Sequence, residues 1–392
     1  MFGSVIVTGA RQVGKTTMLR QATADVAQYV TLDDPRMLQA ARERRGTFIA
    51  SYRPPLFIDE IQYSPELFRY IKMEIDGSGG RALYYLSGSQ QFGMMNNVSG
   101  SLAGRAAVLT MYRLSMREIC GVEFEKPFVP SKEYFSERGK HPESVDRGDV
   151  CRAIHRGSMP AMSVNPEYDW DMYYSSYLRT YLERDVRSLS QVGDLNKFLT
   201  FMTATAARTG QLLNLAAVAR EVGVSAPTAE RWFSVLTASN VVYLLRPYHN
   251  NMLKRAVKTP KVYFADTGLA AYLTRWNTPQ VMEYGAMAGA FFETFVISEV
   301  IKSYLNAGIA DPPLYFCRDH DGVEIDLLVC DAGTLYPIEI KKHADPSGKD
   351  ISSFSYIDRM PGVKRGPGGV VCLYDKIVPL GESDVTIPLG CI

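Results

Sequence analysis

Little in the sequence ties it to a membrane, a secreted scaffold or a polyelectrolyte. No segment approaches the ~18 uninterrupted apolar residues that cross a bilayer. Residues 1–20 hold no signal-peptide core, because the short apolar stretch runs straight into glycine and charge. Cysteine is sparse: six residues, at 120, 151, 317, 330, 372 and 391, with no CxxC pair and no nearby histidine cluster. That excludes a disulfide framework and a thiolate zinc site, and it suits a reducing cytoplasm. An excess of one charge is missing too. With 43 basic against 42 acidic residues, no whole-chain field draws the protein to nucleic acid or membrane, so a nucleic-acid surface must be a local patch. There is no internal repeat and no low-complexity tract. What remains is an ordinary globular composition, 46% hydrophobic and 22% charged over 392 residues. That is too long for one core at ~100–200 residues per domain.

Short apolar runs come early. Ser4–Thr8, Tyr29–Leu32, Leu56–Asp59, Ala82–Ser87 and Ala106–Tyr112 read as buried strands, and helix-length segments separate most of them, the pattern of a parallel α/β sheet. From about Phe124 to Asp149 the chain turns polar and proline-bearing, as in a linker or lid. Helical periodicity follows over 170–189 and 197–208. The stretch Leu215–Leu236, with Ala219, Gly223 and Pro227, has the helix-turn-helix pattern. Hairpin-like Val241–Pro247 and Lys261–Asp266 would supply a wing. Past Gly285 the order is a helix over 291–304, then strands over 314–318, 324–330 and 335–341. The expected division is a P-loop core over 1–123, a linker and helical segment over 124–194, a winged helix over 195–283 and a nuclease-like α/β domain over 284–392.

The most specific motif lies at the N-terminus. Gly9-Ala10-Arg11-Gln12-Val13-Gly14-Lys15-Thr16 fits GxxxxGK[ST], placed after a β-branched strand and before helical Thr17–Ala27. Its glycines let backbone N–H groups curl around phosphate oxygens, and the helix N-terminus favours the anion. Thr17 belongs to that first turn. Lys15 would reach the β- and γ-phosphates of ATP, or of GTP, and the Thr16 hydroxyl would hold Mg²⁺. The second half is Leu56-Phe57-Ile58-Asp59-Glu60, a buried strand delivering acids to its tip. Asp59 would support Mg²⁺ and Glu60 would polarise the attacking water. Leu86-Ser87-Gly88-Ser89-Gln90 ends another strand with polar side chains where a γ-phosphate sensor belongs, and Ser89 is the candidate contact.

At the other end, Asp326, then twelve residues, then Glu339-Ile340-Lys341 spells the D…ExK core of restriction-endonuclease-like enzymes. Asp326 and Glu339 on adjacent strands would hold Mg²⁺ and activate water against a phosphodiester. Lys341, two residues along, points to the same face and would orient that water. Glu293 on the preceding helix would complete the acidic set, and Arg318 and Lys342 would meet a phosphate. In the helix-turn-helix, Ser225, Thr228, Glu230 and Arg231 are the expected exposed residues, with Trp232 and Leu236 inward. Lys254, Arg255, Lys258 and Lys261 give the wing a basic character suited to DNA phosphates.

The strings Gly-Ala-Arg-Gln-Val-Gly-Lys-Thr-Thr, Phe-Ile-Asp-Glu-Ile-Gln, Leu-Ser-Gly-Ser-Gln-Gln-Phe and Ser-Leu-Ala-Gly-Arg, with Tyr181-Leu-Glu-Arg-Asp-Val186, resemble the prokaryotic AAA+-like ATPases that carry a C-terminal domain of unknown function. The resemblance covers nearly the whole chain. It implies an ATPase sheet in the AAA+ strand order, then a winged helix, then a nuclease-like domain. It also implies an arginine-finger or sensor role for Arg105, toward its own nucleotide or that of a neighbouring subunit in a homo-oligomer. Members usually carry a helix before the first strand. Here the strand starts within four residues of Met1, which reads as a late start. Two functions fit: an ATP-driven, DNA-associated switch or nuclease, and a signal-transducing ATPase that binds a protein partner and never cuts.

Overall fold

Strand-forming residues fall into two groups, and each group closes into its own sheet. The computed structural model describes residues 2–88, 101–141, 147–182, 186, 194–248, 258–319 and 322–392. Five strands make the first sheet: β1 (Ser4–Gly9), β2 (Gln28–Thr31), β3 (Leu56–Asp59), β4 (Tyr84–Ser87) and β5 (Ala106–Met111). All run parallel in the order β2-β3-β4-β1-β5. Helices cover such a sheet, so its inner strands read as unbroken apolar runs. Ile6, Leu56, Ile58 and Leu86 are fully buried, against Leu67, Phe68 and Ile71 of the helix Leu67–Ser78. Each such side chain contributes ~1.5–3 kcal/mol of burial.

The second unit carries β6 (Gln211–Leu212), β7 (Val242–Pro247), β8 (Lys261–Phe264), β9 (Leu314–Arg318), β10 (Glu324–Asp331), β11 (Thr334–Ile340), β12 (Lys364–Arg365), β13 (Gly369–Cys372) and β14 (Val385–Pro388). They form one sheet, ordered β14-β13-β11-β10-β9-β7-β8-β6, with β12 beside β11. The hairpin strands β7 and β8 pair antiparallel, and β7 then pairs with β9 through Arg246↔Tyr315 and Pro247↔Phe316. The strands read as a wing and those read as a separate C-terminal domain therefore share hydrogen bonds. Helices Leu215–Val222 and Ala226–Ala238 flank Gly223, whose φ of 71° suits glycine at this turn. Ser225, Glu230 and Arg231 are exposed, while Trp232 is buried with edge contacts to Phe198 and Phe201.

The stretch expected to be a linker or lid is instead packed in its described part. Ser131 caps a helix over Lys132–Arg138, and Phe128, Tyr134 and Arg138 are buried. Phe128 anchors it: its backbone N–H donates to Ser303 Oγ at 3.0 Å and its carbonyl accepts from the Tyr304 hydroxyl at 2.8 Å. Polar and proline-rich composition hid a few aromatic anchors. Among the described residues, no helix is long and apolar enough to cross a membrane.

Candidate functional site

The P-loop forms where β1 meets the helix Lys15–Thr23, and backbone sterics dictate its glycines. Gly9 has φ 144°, and a Cβ there would lie 2.2 Å from the Met111 carbonyl oxygen of neighbouring β5. Gly14 takes φ 92° as the residue before the helix, which has no side-chain cap. Glycine at this position brings no side-chain cap to the first turn of the helix, at Lys15, Thr16 and Thr17, the arrangement of helix starts that receive phosphate. Gln12 also sits at positive φ, 61°, so Gly9-Ala10-Arg11-Gln12-Val13-Gly14 bends sharply. Lys15 is 7% exposed and donates to the Gly9 carbonyl at 3.1 Å and the Ala10 carbonyl at 2.7 Å, placing a cation at the loop.

Strand order supplies the acids. Because β4 lies between β1 and β3, the ends of all three meet behind the loop. The Thr16 hydroxyl donates to both Asp59 oxygens, at 3.1 and 3.0 Å. Ser87, the last residue of β4, donates to Asp59 Oδ1, and the Tyr29 hydroxyl donates to Oδ2 at 3.3 Å. A hydroxyl and a carboxylate held together are oxygen ligands of the kind Mg²⁺ takes from protein, the rest coming from water and phosphate, so these residues fit that ion. Glu60 follows in a left-handed conformation (φ 55°) and accepts from Gln62. Burial raises its pKa, with Asp59 adding to the rise and Gln62 and Lys15 opposing it. A carboxylate raised in this way is a better proton acceptor. Sequence reading missed Ser87 and Tyr29. The polar end of the Leu86–Gln90 string carried the signal for Ser87, but Ser89, chosen instead, lies outside the described residues.

Arg105 is not at its own P-loop. It precedes β5, whose Ala106 pairs with Ser4, whereas the loop follows Gly9. Six strand residues separate the two ends, roughly 20 Å at ~3.3 Å per residue. There its guanidinium pairs with Asp76 through Nε and, at 3.1 Å, Nη2. That distance rules out contact with the protomer's own γ-phosphate, so any role toward ATP is toward a neighbouring subunit's nucleotide. Arg105→Ala is expected to lower turnover without weakening ATP binding, and wild-type specific activity is expected to rise with protein concentration. Flat specific activity over a wide concentration range would remove the between-subunit role.

In the second unit, Asp326 and Glu339 do converge. Lys341 bridges them, at 3.3 Å to Asp326 Oδ2 and 2.7 Å to Glu339 Oε2. The Ile340 N–H donates to Asp326 at 2.9 Å and the Ser353 hydroxyl to Glu339 Oε1 at 2.7 Å. These groups line a cleft of about 490 Å³ together with Glu324, Ser352, Ser355 and Arg359. Burial first, then the Asp326 charge, push Glu339 up to about 8 against the pull of Lys341. Burial works against the Lys341 charge too, but Asp326 and Glu339 outweigh it and hold the ammonium above its ordinary range.

Glu293 does not join them as a third ligand. It accepts from Lys261 at 3.0 Å and from the Tyr263 hydroxyl at 2.5 Å. Among the described residues no three acidic, histidine or cysteine groups gather for a metal ion. Two carboxylates alone fit a cation only if Lys341 gives way. Lys261, read as a wing phosphate contact, is 3% exposed and also pairs with Glu324 at 2.7 Å. It faces acids because it sits inside β8. Arg318 likewise pairs with Glu324, at 3.2 Å, and Lys342 donates to the Glu283 carbonyl. Lys254 and Arg255 lie outside the described residues.

Comparison with known proteins agrees on the first sheet. Residues 2–120 match the family model described as an AAA domain, so the N-terminal part is an AAA-type P-loop ATPase domain. Residues 147–280 and 288–392 match two models described only as domains of unknown function (DUF8612 and DUF4143). Two uncharacterized proteins, Rv2008c of Mycobacterium tuberculosis and Mb2031c of Mycobacterium bovis, are each 29% identical over 385 residues, spanning 98% of this chain and 79% of theirs. Among solved structures, the RuvB Holliday junction branch migration motor of Thermotoga maritima aligns at 17% identity over 62% of this chain and 82% of its own, with a TM-score of 0.30. The Hsp104–ADP complex of S. cerevisiae aligns at 13% over 78% and 41%, with a TM-score of 0.27.

Proposed function

We propose that the chain is an ATP-driven, DNA-associated switch: ATP with Mg²⁺ binds the P-loop, is hydrolysed, and sets the state of the second unit. The observation that carries the nucleotide half is the meeting of Lys15, Thr16, Asp59 and Ser87 at the ends of three adjacent strands. Lys15 and the first-turn N–H groups hold phosphate, and Thr16 and Asp59 hold Mg²⁺, which supplies charge neutralisation when bound. Glu60 takes the proton of the attacking water. For the DNA half, the support is the exposed Glu230 and Arg231 on the second helix of a helix-turn-helix, with exposed Ser225 just before it, and a hairpin that follows in the chain. The Asp326–Glu339–Lys341 cleft adds the residue set of a phosphodiesterase. Plasmid incubated with the protein, Mg²⁺ or Mn²⁺, and ATP is expected to be nicked or linearised, and Asp326→Asn to stop it. Intact plasmid under every combination would remove cleavage.

One observation favours a second reading. Lys341 already bridges both acids, at 3.3 Å to Asp326 and 2.7 Å to Glu339, which suits a scaffold that has kept the arrangement without the reaction, in an ATPase that acts on a protein partner. Titration separates the two. A cation that binds Asp326 and Glu339 must displace the proton that keeps Glu339 neutral below about 8. In the nuclease reading, Mg²⁺ therefore raises the melting temperature of the full chain more above about pH 8 than below it, and Asp326→Asn erases that difference. In the scaffold reading Mg²⁺ adds no pH-dependent shift, and Lys341→Ala lowers the melting temperature by leaving two acids without their cation. For the metal-free protein the sign follows from the raised Glu339 pKa. Its folded state binds the proton more tightly than the unfolded chain, so stability declines as pH rises from the ordinary carboxylate range to about 8. Glu339→Gln is expected to flatten that decline.

A further inference from the structure

Beside the hairpin, and apart from the acid cleft, lies a second cavity of about 410 Å³ lined by Arg246, Pro247, Tyr248, Lys258, Pro260 and Tyr315. Its size falls within the ~300–1,000 Å³ of ligand sites. The sheet builds it. Arg246 and Tyr315 are register partners in the β7–β9 pair, and the Tyr248 N–H donates to the Phe316 carbonyl at 2.7 Å, fixing Tyr248 against the same strand. The two tyrosine rings meet edge to face with centroids 5.6 Å apart, and both are packed against the buried cluster that holds Cys317, Ile325 and Leu328. That packing holds both rings in fixed orientations. Pro260 precedes β8, and Lys258 comes two residues before it. Arg246 and Lys258 are exposed, and neither has an ion-pair partner among the described residues.

Among the described residues, the lining combines two cations without an ion-pair partner with flat, half-buried rings, and carries no acid. A ligand matching both must bring negative charge and a flat ring in one unit. A nucleotide does so, its phosphate meeting Arg246 and Lys258 and its base lying against the tyrosines. The base must be unstacked to offer its face, which a duplex does not allow. We infer that this cavity is a binding site for one nucleotide of a single-stranded nucleic acid, separate from the recognition helix and from the P-loop. Tyr315 pairs with Leu328 of β10, two residues from Asp326, so a strand held here runs close to the acid cleft. The inference shares the DNA association proposed above but not its helix, and the test separates them.

The full chain, in EDTA and without ATP to prevent cleavage, would be titrated with a fluorescein-labelled thymidine oligonucleotide of about twelve residues, followed by anisotropy. Tighter binding of this strand than of a duplex of equal length is expected. Arg246→Gln with Lys258→Gln should weaken it about tenfold or more and reduce the salt slope by roughly 0.7, the contribution of the one phosphate they neutralise. Tyr248→Leu should weaken it about fivefold or more at unchanged salt slope, while Tyr248→Phe keeps wild-type binding, which shows the loss is of stacking and not of fold. Arg231→Ala, in the recognition helix, should leave strand binding unchanged. Wild-type affinity in the double Gln variant, or in a Tyr248→Leu protein that melts normally, would overturn the site. So would displacement of the strand by thymidine monophosphate at equal affinity, since the cavity would then serve a free nucleotide. Loss of strand binding in Arg231→Ala alone would also overturn it, yet would leave the DNA-associated reading standing.

Discussion

Replacing Lys15 by alanine is expected to remove ATP binding. The ammonium is the cation held at the loop, within 3.1 Å of the Gly9 carbonyl and 2.7 Å of the Ala10 carbonyl. The phosphates it would meet carry several negative charges. Losing a charge-assisted hydrogen bond to a desolvated anion costs ~3 kcal/mol, roughly a hundredfold in affinity, and the net charge of the loop changes as well. Isothermal titration with ATP and Mg²⁺ checks this directly. Wild-type affinity in a folded Lys15→Ala protein would sink the assignment of the whole site, because the glycines around it would then be no more than a tight turn.

Glu60→Gln should act on the opposite quantity. The side chain keeps its size and its place beside Gln62 but loses the ability to accept a proton, so ATP stays bound while turnover falls by ~10²–10⁴, the range for loss of a positioned general base. A pH profile adds a second readout. Burial raises the Glu60 pKa above 4.5, and the base works only when ionised, so wild-type turnover should fall on the acid side at a higher pH than an exposed carboxylate would give. Unchanged turnover in Glu60→Gln would make Glu60 a structural residue whose left-handed backbone only shapes the end of β3.

Much of the nucleotide site was legible because its parts are local. The P-loop string needs a strand before it and a helix after it, and both announce themselves in a few residues. Leu56–Asp59 was read with the bounds the structure gives it. Pairing between strands is not local, and there the sequence alone falls short. That β4 sits between β1 and β3, bringing Ser87 to Asp59, follows from no periodicity within β4. Tyr29 looked like one more buried strand residue, yet it is 40% exposed and turns its hydroxyl to Asp59. Lys261 shows the converse error. Counted with its basic neighbours it resembled a phosphate contact, but the pairing of β8 with β7 and the approach of Glu293 and Glu324 bury it. Glu293, in turn, was assigned to a metal because its true partners come from a strand about thirty residues earlier.

The pairing of β7 with β9 also bears on how freely this protein can be recombined. The stretches matched by the two domains of unknown function end at 280 and begin again at 288, and a crossover in that gap looks like a clean seam. It is not one. Such a cut would leave β7 without β9 on one side and β9 without β7 on the other, baring backbone donors and acceptors along both edges. Chimeras joined there with a distant homologue would be expected to aggregate unless the incoming β9 matches Arg246 and Pro247 in register. Grafts that carry residues 211–392 as one block keep every strand of that sheet together.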